Sequence, residues 1–404
     1  MDLDFRATVL RAVDEAPVVD MHTHLYPPSF GDLLLSGVDE LLTYHYLIAE
    51  TARVSPLGDA GLTALSQREQ ADEVWQRLFV DRSPISEAAM GVVMTLQMLG
   101  LDPNAPLEEI RNQWGRIPRE ERVDRVFQAA RLVEVVMTND PFDDAERPYW
   151  LNRTPFDPRF RAALRIDPLL NEPVRAEAAL REQGYGFSTS EILRFLDDWV
   201  DRMAPLYMAV SLPPDFAFPE DSHRARTIAN CVVPTAVKHG IPFAMMIGVR
   251  RQVNPRLGLA GDGVGRADLA SLTNLCDSFP EARFFCTVLS NENQQELNVA
   301  ARKFGNLMPF GCWWFVNNPT LVDEITRLRI DMLGLSFIPQ HSDARVLEQV
   351  VYKWRRSKDL VGQALADAYE GLAAAGRVAT EAEIRRDVER LFSRNFEEFV
   401  RGAA

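Results

Sequence analysis

Cysteine is scarce in this chain: four thiols among 404 residues, Cys231, Cys276, Cys286 and Cys312, without the close spacing of a metal finger or a redox pair. That excludes a disulfide framework, and a reducing cytoplasm is the expected setting. Basic residues are outnumbered, leaving a net charge of −14, so neither nucleic acid nor an anionic membrane is expected as a partner. A short basic cluster, Lys353-Trp354-Arg355-Arg356, falls in a helical pattern. No apolar run is long enough to span a bilayer, and Met1-Asp2-Leu3-Asp4-Phe5 lacks the basic start and apolar core of a signal peptide. Histidine is also rare, six in all, which makes the place of each one informative.

What is present is an ordinary globular composition, 47% hydrophobic and 25% charged, in a chain long enough for a large core. Strand-like apolar runs at 18–25, 133–138, 160–166, 206–212, 242–249, 283–289, 308–315 and 335–340 alternate with helical periodicity. Such alternation predicts a parallel sheet with right-handed crossovers, and eight units predict an α/β fold of the closed (β/α)8 TIM-barrel type. The rival, an open doubly wound sheet, would carry a glycine-rich first turn, and none follows Leu25. Helical periodicity broken by proline and glycine over 28–130 predicts an insertion after the first strand, with its first long helix over 39–54. Helix is also expected across 172–203, with Ser190 as a cap. The expected organisation is 1–27 for a helix starting at residue 4 and the first strand, 28–130 for the insertion, 131–345 for the rest of the barrel, and 346–404 for C-terminal helices packed on it.

The first strand runs into His22-Thr23-His24. Side chains alternate along a strand, so the two imidazoles share one side, with Met21 and Thr23 on the other. Two imidazoles converging at a strand end suit a divalent transition metal; the plain alternative is a pair of turn histidines. Barrel sites lie at the C-terminal strand ends. That adds Asn139 and Asp140, Arg165 and Asp167, Pro213-Pro214, Arg250 and Arg251, Ser290 and Asn291, Trp313, Trp314 and Asn317, and His341, Asp343 and Arg345. In a closed barrel the eighth strand lies beside the first, so Asp343 can join His22 and His24 as a third ligand. Its other reading is an N-cap for a helix running on from Ala344. The expected cofactor is one divalent metal, zinc first, with manganese, iron or nickel also compatible. Arg165 and Arg345 near such a site suit an anionic substrate, a carboxylate above all. His45 and Tyr46 fall on an inserted helix, where packed core aromatics are the alternative.

Taken in order, these residues resemble the uronate isomerase family of the amidohydrolase superfamily. His22-Thr23-His24-Leu25 is similar to the family's His-x-His-Leu, and His45-Tyr46 to the His-Tyr pair on its following helix. Thr138-Asn139-Asp140-Pro141 resembles Thr-Asp-Asp-Pro, and 160–167 a strand ending in arginine before aspartate. Ile247-Gly248-Val249-Arg250, Gly311-Cys312-Trp313-Trp314-Phe315 and Ser342-Asp343-Ala344-Arg345 resemble further family stretches in the same order. Two strand ends depart from the pattern. Met246 stands where relatives carry a histidine, and Val210-Ser211-Leu212-Pro213-Pro214 replaces Ser-Asp-His-Gly.

The resemblance implies a metal-dependent aldose–ketose isomerase that moves a proton between C2 and C1 of a uronic acid such as glucuronate or galacturonate. It implies a metal on His22, His24 and Asp343, and Tyr46 as base with its phenol acidified by Arg345. Asp343 is an alternative proton carrier, while His45, Arg165, Trp313 and Trp314 would surround the acid sugar. A metal-dependent hydrolase or decarboxylase on the same scaffold would add histidines on the fifth and sixth strands, and neither strand has one. A non-catalytic barrel is the remaining rival, and the retained histidines, Asp343 and arginines argue against it. Barrels of this size assemble through helical faces, so a homo-oligomer is compatible with the sequence.

Overall fold

The computed structural model describes residues 5–402; the expected helix start at residue 4 lies outside them. Seven parallel strands form one curled sheet, giving an α/β, TIM-like architecture. They are β1 Val18–Thr23, β2 Leu132–Asn139, β3 Phe160–Arg165, β4 Met208–Leu212, β5 Phe243–Ile247, β8 Phe284–Val288 and β9 Leu307–Pro309, paired in that order. Between β5 and β8, β6 Val249–Arg250 and β7 Gly263–Val264 form a separate antiparallel hairpin. The strands are apolar on both faces because helices cover one side and the curled interior fills the other. Val19, Val136, Ala163, Ala244, Phe285 and Phe310 belong to that interior. The Asn395–Arg401 helix adds Phe396 and Phe399, whose rings lie 5.8 and 4.8 Å from that of Phe285.

Several sequence expectations need correction. The stretch 335–340 forms no strand; it makes a single bridge, Phe310 to Ile338. Backbone bonds nevertheless tie residues 343 and 344 to the end of β1, from Asp343 N to His22 O at 3.1 Å and from His24 N to Ala344 O at 2.8 Å. Residues 308–315 are extended only as far as Pro309, because Gly311 at φ +61 and Trp314 at φ +49 leave strand geometry. A side chain at position 311 would put its Cβ 1.8 Å from His341 Nδ1, so only glycine fits. The helix expected over 39–54 breaks into Val38–Leu42 and His45–Ala52, since Tyr44 is extended. Residues 172–203 form Pro173–Glu182 and Thr189–Met203, and the cap is Ser188, which accepts from Glu191 N; Ser190 lies inside the helix.

The 26-residue helix Gln349–Ala374 is the longest among the described residues, and it packs on Phe5–Glu15, Glu87–Met98 and Pro319–Leu333. Its contact with Glu87–Met98 is close: a Cβ on Gly91 would lie 2.6 Å from the Tyr352 ring. Among the described residues, no helix is long and apolar enough to cross a membrane.

Candidate active site

At the C-terminal end of the sheet, His22, His24, His45, Thr138, Arg165, Asp167, Met246, Trp313, Trp314, Asp343 and Arg345 line one cavity. Its floor is β1. The pairing of β1 with β2 is irregular between Asp20 and Thr23. As a result Met21, expected opposite His22, joins the interior cluster whose Phe310 ring also lies 6.5 Å from the His22 ring. His24 keeps to the same side, its ring 5.6 Å from that of His22.

The Nε2 atoms of both histidines face one carboxylate oxygen, Asp343 Oδ1, at 3.8 Å for His22 and 3.2 Å for His24. Their other nitrogens are held from behind. Tyr207 Oη lies 3.1 Å from His22 Nδ1 and donates its own proton to the Met21 carbonyl, so it accepts from the ring. Thr138 Oγ1 lies 2.7 Å from His24 Nδ1 and likewise donates to the Thr23 carbonyl. Each ring is thereby protonated on Nδ1 and carries its lone pair on Nε2. Burial pushes both imidazoles down from the ordinary 6.5, His22 to about 3 and His24 to about 4. Burial works to raise the Asp343 carboxyl, but the facing His24 and His22 rings and Lys353 outweigh it and hold it below the usual carboxylate range. Asp343 Oδ1 is itself buried without a hydrogen bond.

Three electron-pair donors from these residues lie within 4.8 Å of one another, a group that could hold a metal ion. At neutral pH the depressed imidazoles do not themselves supply a positive charge by protonation. The donor set fits a divalent metal with positions left open, and the two hydroxyl groups that orient the rings are the supports such ligands use. The N-cap reading of Asp343 fails, because the next helix begins at Gln349 and Asp343 sits at φ +50.

The remaining candidates divide. Arg165 donates to both oxygens of Asp167 at 3.0 Å while facing the cavity; burial opposes its charge, and Asp167 more than restores it. Arg345 borders this cavity and a neighbouring one, as does His45. Burial pushes His45 down to about 3, and its ring meets Trp314 edge-on at 5.5 Å. Tyr46 is part-buried, and its hydroxyl is buried with no hydrogen-bond partner. Burial and the neighbouring Tyr44 push the Tyr46 phenol well above 10, so the acidification expected from Arg345 does not prevail.

Asn139 donates to Glu146 at 2.7 Å, and Asp140 accepts from Phe142 N; both serve their turn. Ser290 caps a short helical turn, Asn317 accepts from Gln340, and Arg250 is exposed. Arg251 pairs with Asp262 at 2.6 Å on the cavity rim, and Pro213 lines an adjoining cavity. His341 is buried with both ring nitrogens unpartnered, 5.4 Å from the His22 ring. Sequence reasoning missed Tyr207 as a support for His22. It lies just before β4, and no local pattern marks it.

No family model and no curated protein matches the sequence. Solved structures do. The crystal structure of a uronate isomerase from Bacillus halodurans C-125 is 53% identical, covers 99% of this chain and 97% of its own, and superimposes with a TM-score of 0.97. The chain belongs to the uronate isomerase family. A uronate isomerase from Thermotoga maritima matches 98% of this chain and 97% of its own at 14% identity and a TM-score of 0.77. A glucuronate isomerase from Caulobacter crescentus, also at 14% and 0.77, covers 99% of this chain and 94% of its own. At that identity the last two speak for the fold alone. Within the uronate isomerase family frame, Met246, Ala209 and Val210 form an apolar stretch of this chain's cavity wall.

Proposed function

We propose that this protein is a metal-dependent aldose–ketose isomerase that acts on a uronic acid such as glucuronate or galacturonate, moving a proton between C2 and C1. The observation that carries the reading is its full-length similarity, at 53% identity, to a uronate isomerase. His22, His24 and Asp343 would hold one divalent ion, zinc first, which when bound supplies Lewis acidity to the sugar oxygens.

The chain's own groups supply the rest. Arg165, aligned by Asp167, and Arg345 give the cavity the positive charge that a sugar carboxylate needs. His45 is neutral and offers a ring nitrogen to hydroxyl groups, and Trp313 and Trp314 give the sugar ring flat walls. Tyr46 is the proposed base. Its unpartnered hydroxyl supports the assignment, while its raised phenol requires the positive charge of Arg345 to draw closer when substrate binds. Asp343 is the second candidate carrier, favoured by its ionised carboxylate facing the cavity. The stretch 335–345, bridged to both sheet edges, would complete a closed barrel as its eighth member. Four free, buried cysteines suit a reducing cytoplasm.

A screen of acid sugars, following aldose–ketose interconversion with and without added divalent metal, tests the activity. Failure to convert any uronic acid in the presence of metal would reject it. Tyr46→Phe then separates the two carriers: retention of near-wild-type turnover would transfer the role to Asp343.

A further inference from the structure

Asp343 is held in a left-handed backbone conformation, φ +50, which costs a non-glycine residue about 1–2 kcal/mol. The peptide groups around Ser342 show what maintains it. Ser342 N donates to Asp20 Oδ1 at 3.0 Å, and the other oxygen of Asp20 accepts from Trp354 Nε1 at 2.7 Å. On the opposite side, the Ser342 carbonyl accepts from Lys353 Nζ at 2.6 Å. Adjacent residues of the Gln349–Ala374 helix thus grip both faces of the turn, one directly and one through Asp20.

Lys353 is an unusual residue for that task. Its side chain is buried at 3% exposure and makes no ion pair among the described residues. Its ammonium lies 5.6 Å from the ring centroid of Tyr44 and 5.9 Å from that of Tyr46. A buried ammonium is costly without compensation, and here a carbonyl and two aromatic faces provide it. We propose that Lys353 is a positioning residue for the metal site: by holding the Ser342 carbonyl it sets the turn that aims the Asp343 carboxylate at His22 and His24. The inference rests on the proposal that these three residues hold a metal. It also explains why a strained aspartate can serve as a ligand without a helix of its own to hold it.

The test is calorimetric titration of zinc chloride into metal-stripped protein, with circular dichroism to confirm the fold. Lys353→Met is expected to bind zinc at least tenfold more weakly than wild type. At saturating zinc its kcat should fall while KM for the acid sugar changes less than threefold. Lys353→Gln keeps a donor of similar reach and should recover part of the zinc affinity. If wild-type protein binds no zinc, manganese, iron or nickel, the metal reading fails. If it binds and both variants match its affinity and kcat, the role of Lys353 is overturned while the metal site stands. Loss of the fold in both variants would also overturn it, by assigning the lysine to the fold as a whole.

Discussion

His24 and Asp343 meet at 3.2 Å, Nε2 to Oδ1, with the ring's proton turned away toward Thr138. An imidazole lone pair and an ionised carboxylate at that distance are not a hydrogen-bonded couple. Under the proposed function they are two ligands of one metal ion. Asp343→Asn removes the charge and keeps the shape, so it should abolish the rise in thermal stability expected of the wild type with divalent metal. That rise corresponds to about 2.7 kcal/mol at a hundredfold excess of metal over Kd. Differential scanning calorimetry with and without zinc measures it, and an undiminished shift in the variant would remove Asp343 from the ligand set.

Thr138→Val and Tyr207→Phe touch no ligand atom facing the cavity, yet each removes the acceptor that fixes a ring's proton on Nδ1. Each should weaken metal binding by roughly 10- to 100-fold with the fold retained. Competition against a chelator of known affinity reads this directly. Wild-type affinity in both variants would mean that the tautomers are set by other contacts.

Four histidines should each cost the protein stability as the pH falls below 6.5. His22, His45 and His341 are held near 3 and His24 near 4 by burial, against 6.5 when unfolded. Below pH 6.5 the unfolded chain takes up protons that the folded chain refuses. Stability therefore falls by about 1.4 kcal/mol per pH unit for each such ring. Asp140 and Glu146, raised by burial to about 6 and about 7, work in the opposite direction, as do Asp20, Glu40, Glu87 and Asp359, so the histidine share is read by comparing variants. Urea unfolding of metal-free protein between pH 6.5 and 4.5 measures the slope. His341→Asn should reduce the slope by one proton's worth, and an unchanged slope would contradict the burial of a neutral His341.

The histidine pair could be read from the sequence because strand alternation and strand-end placement are local rules. Asp343 could be placed beside it once eight units were counted, since closure of a barrel is topological. The eighth unit was identified correctly as a neighbour of β1 but not as a strand, because its last residues trade extended geometry for the turn that presents Asp343. Gly311 and His341 interlock at a distance no local pattern encodes. Tyr46 lies on an inserted helix as its periodicity predicts, but its raised phenol comes from burial and from Tyr44, which breaks the expected helix in two. Supports such as Tyr207 and Lys353 act across the interior, and nothing in their own sequence neighbourhoods announces them.

Arg165 gives the sharpest test of substrate charge. Its guanidinium uses one edge to meet Asp167 in a bidentate pair, which leaves the charge oriented along the cavity wall. A carboxylate arriving there gains charge-assisted hydrogen bonds of about 1.5–3 kcal/mol, roughly a 10- to 100-fold effect on binding. Arg165→Met should therefore raise KM for a uronic acid by that factor, with a smaller fall in kcat if the group anchors ground and transition states alike. The aldose lacking the carboxylate should be a poor substrate for wild type and variant equally. Steady-state kinetics on the acid and neutral sugars decide it: an equal loss on both would show that Arg165 holds the pocket's shape rather than the sugar's charge.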